Sequence, residues 1–175
     1  FYKKRGGNVL WVGHPMIDLT KKLPLKKDAR TILNLRSDQN ILLLMPASRP
    51  QELRYILPTF MRAAKKLQQK YPSLVVYIPS CRSAFDEIFK KAFRKYQVKG
   101  LVISQKDSAK LKPYIYSLTK IAFCKSGTVN MELALYGIPQ IVGYRVSRVT
   151  AFIAKKILNF KIRFISPRSE EHTSE

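Results

Sequence analysis

From residue 40 onward, short apolar runs alternate with longer stretches in which apolar residues recur at helical spacing. The apolar runs predict strands at residues 41–45, 74–78, 101–104, 120–123 and 140–144. Helices are predicted between them, and the clearest spans residues 51–69. The next helix places five apolar residues on one face, which we expect to be buried: Phe85, Ile88, Phe89, Ala92 and Phe93. Strands that alternate with helices build parallel sheets, so the pattern predicts an α/β fold with helices on both faces of the sheet.

The N-terminal part of the chain has a different organisation. Residues 8–12 read as one further strand, and residues 21–30 form a polar stretch that looks like a linker. We therefore predict a domain boundary near Pro24, with the end of a preceding domain and an interdomain linker in residues 1–24 and one domain in residues 25–167. The first residues include neither a starting methionine nor the apolar segment of a signal peptide, so we expect the chain to begin within a longer protein.

The last eight residues, 168–175, differ abruptly from the rest in composition. They hold three of the eleven carboxylates and no large apolar residue. This octapeptide resembles the translation of a common sequencing adapter, which predicts a non-native read-through tail. A natural polar tail stays open as the alternative, and neither reading makes the segment part of the fold.

A formal net charge of +22 predicts an anionic partner. Nucleotide diphosphates, phospholipid surfaces and nucleic acids all qualify. The basic residues are spread over many helix faces, and no zinc-finger, RNP or helix-turn-helix pattern is present, which argues against nucleic acid. Cys81 and Cys124 lack metal-ligand spacing and favour reduced thiols in a cytosol-like compartment. No apolar run approaches the roughly 20 residues that a transmembrane helix needs.

The segment PASRPQEL, residues 46–53, follows the first predicted strand of the sheet. Ligands of open α/β sheets bind beyond the carboxyl ends of strands, so this loop is a candidate site. Ser48 and Gln51 have the spacing of a capping box, and Pro50 suits a first helical turn. A capping box has no use for Arg49, whereas a phosphate at a helix N-terminus does.

The segment KSGTVNMELALYGIP, residues 125–139, joins a predicted strand to a helix that begins near Gly127. Ser126 is the predicted N-cap. A small, glycine-containing helix start lets backbone N–H groups and the positive end of the helix dipole approach a diphosphate. Thr128 and Glu132 share a helix face, and a carboxylate there can accept hydrogen bonds from a ribose diol. A capped helix with a surface glutamate remains the plainer alternative.

Two further segments offer weaker signals. His14, in VGHP, follows the predicted strand at residues 8–12, where a structural role competes with a catalytic one. After Tyr144, residues 149–160 predict an apolar helix stripe edged by basic residues. Such a helix suits an anionic membrane surface, and packing against the sheet or another domain is the alternative.

These motifs in this order resemble lipid-A-disaccharide synthase: VGHPxxD, then P-[GA]-SRxxE, then SGTxxxE, then VxYR. The resemblance covers about residues 9–167, and PASRPQEL and YRVSRVT look most like the cyanobacterial and plastid-lineage branch. It implies the Rossmann-like C-terminal, UDP-binding domain of a GT-B glycosyltransferase. The resemblance implies an asparagine-bearing motif after residue 167, where residues 168–175 stand instead, so we expect the nucleotide site of this chain to be incomplete.

The resemblance also implies roles for individual residues. Ser48 and Arg49 would face the diphosphate, and Glu132 would hold the ribose. The helix-end cradle would consist of Ser126, Gly127 and Thr128. His14 and Arg145 are candidates for the substrate cleft. The general base is expected in the amino-terminal domain, so no residue of this chain is assigned to that role.

The implied reaction transfers 2,3-diacylglucosamine from UDP-diacylglucosamine to 2,3-diacylglucosamine 1-phosphate, without a cofactor. No D-x-D pair is present and carboxylates are few, so no metal is expected. The expected location is cytoplasmic and peripheral to the inner membrane, on an anionic surface, or organellar in a plastid-bearing eukaryote. Homo-oligomerisation stays open. The alternatives are another UDP-sugar-dependent GT-B enzyme and a basic nucleic-acid-binding module.

Overall fold

The structure, a computed structural model, describes residues 5–10, 12–20, 22–46 and 49–143 of the 175-residue chain. Its helices are α1 Pro15–Leu19, α2 Lys26–Ile32, α3 Pro50–Lys70, α4 Asp86–Tyr96, α5 Gln105–Leu118 and α6 Thr128–Leu135. Its strands are β1 Asn40–Met45, β2 Leu74–Pro79, β3 Gly100–Ile103, β4 Thr119–Lys125 and β5 Gln140–Gly143. The described residues contain no helix that is both long enough and apolar enough to cross a bilayer.

The five strands form one parallel sheet in the order β3-β2-β1-β4-β5. The chain moves outward from β1 to β2 and β3, and then returns to the other side of β1 to form β4 and β5. The direction of winding therefore changes between β1 and β4, and the loops that follow those two strands lead to helices on opposite faces of the sheet. The predicted α/β fold with a parallel sheet is confirmed.

The central strand β1 explains why helices cover both faces of the sheet. Leu42 and Leu44 are fully buried in the apolar layer beneath α3 and α4, whereas Ile41 and Leu43 are fully buried in the opposite layer. Successive side chains of a strand point to opposite faces, so this apolar run needs cover on both. Burial of each such side chain contributes about 1.5 to 3 kcal/mol.

The helix α4 departs from the predicted stripe at one position. Phe89, Ala92 and Phe93 are buried against the sheet, as is Phe85 just before the helix. Ile88, in contrast, is 43% exposed and lies beside the groove between α3 and α4. The burial prediction is wrong for Ile88, because its side chain lines an open groove between α3 and α4.

The N-terminal predictions need two corrections. Residues 8–10 and 12 form no strand, and Leu10 and Val12 are 82% and 81% exposed. The second half of the stretch that looks like a linker is helical, because α2 inserts the fully buried Ala29 into the layer that contains α5. An acidic residue in its first turn, Asp28, and a basic one in its last, Arg30, suit the helix dipole.

Candidate functional site

A cavity of about 180 Å³ opens at the carboxyl ends of β1, β2 and β4, beside the point where the winding direction changes. Its wall is formed by the strand ends, the loop after β2 and the first turn of α6. The described lining residues are Met45, Pro46, Pro79, Cys81, Phe89, Lys125, Ser126, Gly127, Thr128 and Val129. Three of the predicted site residues, Ser126, Gly127 and Thr128, are therefore brought together at this cavity.

The helix α6 begins one residue later than the sequence predicts. Its N-cap is Gly127, not Ser126, and the backbone of Gly127 is extended, with φ 164° and ψ −170°. A Cβ atom built on Gly127 would meet no atom of the other described residues within 4 Å. The glycine therefore leaves open space in front of the first turn of α6, where a ligand can approach the backbone closely.

Asn130 holds this turn in place and was missed by the sequence analysis. Its Oδ1 accepts a hydrogen bond from the Gly127 N–H at 2.7 Å, and its own N–H donates to the Gly127 carbonyl at 3.1 Å. The Gly127 N–H therefore already donates to a protein acceptor. The next two N–H groups, of Thr128 and Val129, lie in the first turn, where helices lack internal acceptors, so they are the donors that an anion in the cavity would meet.

Behind Asn130 lies a polar network that ties α6 to β4 and β5. Asn130 Nδ2 donates to Cys124 Sγ and to Gln140 Oε1, each at 3.0 Å, and Gln140 Nε2 donates to the Asn130 carbonyl at 2.8 Å. Burial raises the pKa of the Cys124 thiol to about 11. The thiol is therefore protonated at neutral pH and supports the network. The sequence signal was an asparagine at the third helical position, where side chains reach back to the cap.

The start of α3 contradicts the predicted capping box. The helix begins at Pro50, so its N-cap is Arg49 and not Ser48, and Arg49 makes no side-chain capping hydrogen bond. Pro50 occupies the first turn, as predicted. Arg49 is exposed and is not among the described residues that line the cavity. Ser48 itself lies outside the described residues.

An ion pair between the two motif loops was also missed. Lys125 Nζ lies 2.7 Å from Glu52 Oε1, and the two side chains are only 22% and 20% exposed. Glu52 is in the first turn of α3, and Lys125 is the last residue of β4. The sequence placed both residues in the motifs, but only the adjacency of β1 and β4 shows that they meet.

Glu132 lies one turn beyond Thr128 on α6, but it does not line the cavity. Its Oε1 lies 2.6 Å from Lys112 Nζ on α5. The pKa of the neighbouring Tyr116 hydroxyl is raised, first by burial and then by the charge of Glu132, so that hydroxyl stays protonated. The structure thus places Glu132 in an ion pair with Lys112, and its contact with a ribose stays a prediction.

The two candidates for the substrate cleft have different outcomes. His14 is the N-cap of the five-residue helix α1, and its Nδ1 accepts a hydrogen bond from the Met16 N–H at 3.2 Å. This capping contact supports the structural alternative, and His14 does not line the cavity. Arg145 and the apolar stripe at residues 149–160 lie outside the described residues.

The arrangement has the chemistry of an anion site. It combines the first turn of α6, two hydroxyl side chains and one ammonium group at a cavity formed by strand ends. Within the described ranges, no group of three or more His, Cys, Asp and Glu side chains could hold a metal ion. Groups of this kind are suited to contact a phosphate or diphosphate.

Comparison with known proteins shows the family to which this chain belongs. A family model described as Lipid-A-disaccharide synthetase matches residues 1–169. The chain is 48% identical over 167 residues to the lipid-A-disaccharide synthase of Prochlorococcus marinus (strain MIT 9313), which covers 95% of this chain and 43% of that protein. It is 36% identical over 167 residues to that of Gloeothece citriformis (strain PCC 7424), covering 95% of this chain and 42% of that protein.

A third relative is the lipid-A-disaccharide synthase of Vibrio vulnificus (strain YJ016), 32% identical over 169 residues and covering 95% of this chain and 42% of that protein. The chain thus spans less than half the length of the curated relatives that it matches. The family resemblance inferred from the motifs is confirmed, including its cyanobacterial members. The chain belongs to the lipid-A-disaccharide synthase family.

Proposed function

We propose that this chain forms the nucleotide-sugar-binding part of an enzyme that transfers 2,3-diacylglucosamine from its UDP donor to 2,3-diacylglucosamine 1-phosphate. The observation that carries the proposal is the cavity at the carboxyl ends of β1 and β4, whose wall is the first turn of α6. Family membership supports these substrates, and the position of the cavity supports its assignment to the diphosphate.

The proposed role of this cavity in the reaction is electrostatic. Cleavage of the bond between sugar and diphosphate leaves additional negative charge on UDP. The proposed donors are the N–H groups of Thr128 and Val129 and the hydroxyl groups of Ser126 and Thr128, all from residues that line the cavity. Donors held in place interact more strongly as negative charge develops. Arg49 joins them if its exposed side chain turns toward the diphosphate, and Glu132 holds the ribose.

The chain by itself is proposed to bind the nucleotide weakly and to catalyse no transfer. None of its residues is assigned as the general base, and the acceptor lipid needs a second wall of the cleft. The full protein is proposed to be cytoplasmic and to adsorb to the anionic surface of the inner membrane, since a net charge of +22 favours such a surface.

Equilibrium binding tests the nucleotide proposal. We expect the chain to bind UDP measurably more tightly than uridine in isothermal titration calorimetry, because only UDP carries the diphosphate. We also expect retention on UDP-agarose at salt concentrations that already release the chain from DNA-cellulose. Equal affinity for UDP and uridine would remove the diphosphate from the cavity, and the reverse order of release would favour the nucleic-acid alternative.

A further inference from the structure

Lys125 lines the cavity at the carboxyl ends of β1 and β4, and it lies just outside the motif SGTxxxE. It directly precedes Ser126, Gly127 and Thr128. Its side chain is 22% exposed, so the ammonium group is held against the protein instead of extending into solvent. A lysine so confined at the wall of an anion cavity costs little further ordering when a ligand arrives.

The partner of Lys125 leaves it free to contact a ligand as well. Glu52 Oε1 lies 2.7 Å from the ammonium group of Lys125. Among the described residues, that ammonium group has no other hydrogen bond or ion pair. A lysine ammonium group has three N–H donors, of which Glu52 uses one. The second oxygen, Glu52 Oε2, is buried and has no hydrogen-bond partner in the described part of the chain.

We infer that Lys125 is a further ligand-binding residue of this site, one that donates to the diphosphate of the nucleotide while Glu52 serves as its counter-ion. The inference rests on the proposed nucleotide function. Hydrogen bonds between ammonium groups and phosphate oxygens are among the stronger ones in proteins, because both partners are charged. Lys125 would thus add a full positive charge to the partial charge of the α6 N-terminus.

A purely structural role is the alternative that the test must exclude. The pair of Lys125 and Glu52 joins the end of β4 to the first turn of α3, and both side chains are mostly buried. Removal of the lysine alone leaves a carboxylate without its counter-ion, which can distort the loops around the cavity. Loss of binding in a single variant therefore does not distinguish contact from distortion.

The experiment uses the 175-residue chain and four proteins: the wild type, Lys125→Met, Lys120→Met, and the double variant Glu52→Gln with Lys125→Met. Lys120 is a matched control, because it is exposed at the opposite end of the same strand and its loss changes the net charge equally. The double variant removes both charges of the pair and leaves no carboxylate unpaired. Calorimetry measures UDP, uridine and inorganic pyrophosphate at one ionic strength, and thermal melting follows stability.

We expect Lys125→Met to weaken UDP and pyrophosphate binding by about 10- to 100-fold and to leave uridine binding unchanged. The UDP affinity of Lys120→Met should stay within about twofold of the wild type, because solvent screens an exposed charge at the far end of β4 from the cavity. The double variant should regain melting temperature relative to Lys125→Met, yet bind UDP as weakly as it does.

Two results would overturn the role of Lys125 while leaving the nucleotide site intact. One is a wild type that prefers UDP to uridine together with a Lys125→Met variant that binds UDP as Lys120→Met does. The other is recovery of UDP binding in the double variant, which would show that Lys125 acts only by neutralising Glu52. A wild type with no preference for UDP over uridine would instead refute the proposed function, and the inference with it.

Discussion

The open space at Gly127 allows one added methyl group to change UDP binding and the stability of the fold in opposite directions. We expect Gly127→Ala to weaken UDP binding without destabilising the fold. The position lines the cavity, and within the described part of the chain an added Cβ meets nothing within 4 Å, so the methyl group occupies space that we assign to the diphosphate. The backbone of Gly127 is extended, which alanine also adopts, and alanine there restricts the unfolded chain.

The expected magnitudes follow from these contacts. Replacement of glycine by alanine at a compatible backbone position stabilises a protein by about 0.4 to 1 kcal/mol, which raises the melting temperature of a chain of this size by roughly 1 to 4 °C. Loss of one backbone hydrogen bond to a charged ligand costs about 1.5 to 3 kcal/mol, or roughly 10- to 100-fold in UDP affinity. Stability and affinity should therefore change in opposite directions.

Gly100 provides the control. A Cβ there would lie 2.1 Å from the Val76 carbonyl oxygen and 2.6 Å from Phe93, so Gly100→Ala should lower the melting temperature by clash. Gly100 is at the start of β3, away from the cavity, so any folded fraction should bind UDP normally. Thermal melting and calorimetry on both variants check the pair of predictions. Wild-type UDP affinity in Gly127→Ala would refute the close approach of the diphosphate to this turn.

Further predictions concern catalysis, pH and membranes. In an enzyme completed with the remainder of the protein, Arg49→Ala should lower kcat by about 10- to 100-fold while the melting temperature stays constant, because the Arg49 side chain is exposed and makes no capping hydrogen bond among the described residues. Normal turnover would show that Arg49 is dispensable. Burial raises the pKa of the Cys124 thiol to about 11. The contribution of the protonated thiol to the free energy of unfolding is therefore complete below the unfolded pKa of about 8.5, and it is lost as the pH rises toward 11. Cys124→Ala should lose that part of the alkaline decline, and identical declines in melting temperature from pH 7 to 11 would contradict it. The chain should sediment with anionic vesicles and be released by salt; equal binding to neutral vesicles would contradict an electrostatic attachment.

The sheet was predictable because its strands are buried on both faces. The central run of Ile41, Leu42, Leu43 and Leu44 has no polar position, and only a strand with helices on both sides buries all four. Residues 8–12 have a similar apolar appearance but form no strand in their described part. A short apolar run does not reveal whether a neighbouring strand is available to pair with it.

The site was predicted in outline and missed in its contacts. The motifs singled out Ser126, Gly127 and Thr128, and all three line the cavity. Helix caps depend on local hydrogen bonds, and both N-caps lie one residue later than predicted. The Lys125 and Glu52 pair joins residues 73 positions apart. It follows from the pairing of β1 with β4, which strand patterns alone do not give.

The central claim is that a nucleotide diphosphate binds at the first turn of α6. Titration of isotope-labelled chain with UDP, followed by backbone amide NMR, tests it most directly. The account predicts the largest shifts at the amides of Thr128 and Val129, with smaller shifts for uridine at the same positions. The account would be contradicted if UDP left the chemical shifts of these two amides unchanged, or if the amides that shift clustered in the groove between α3 and α4.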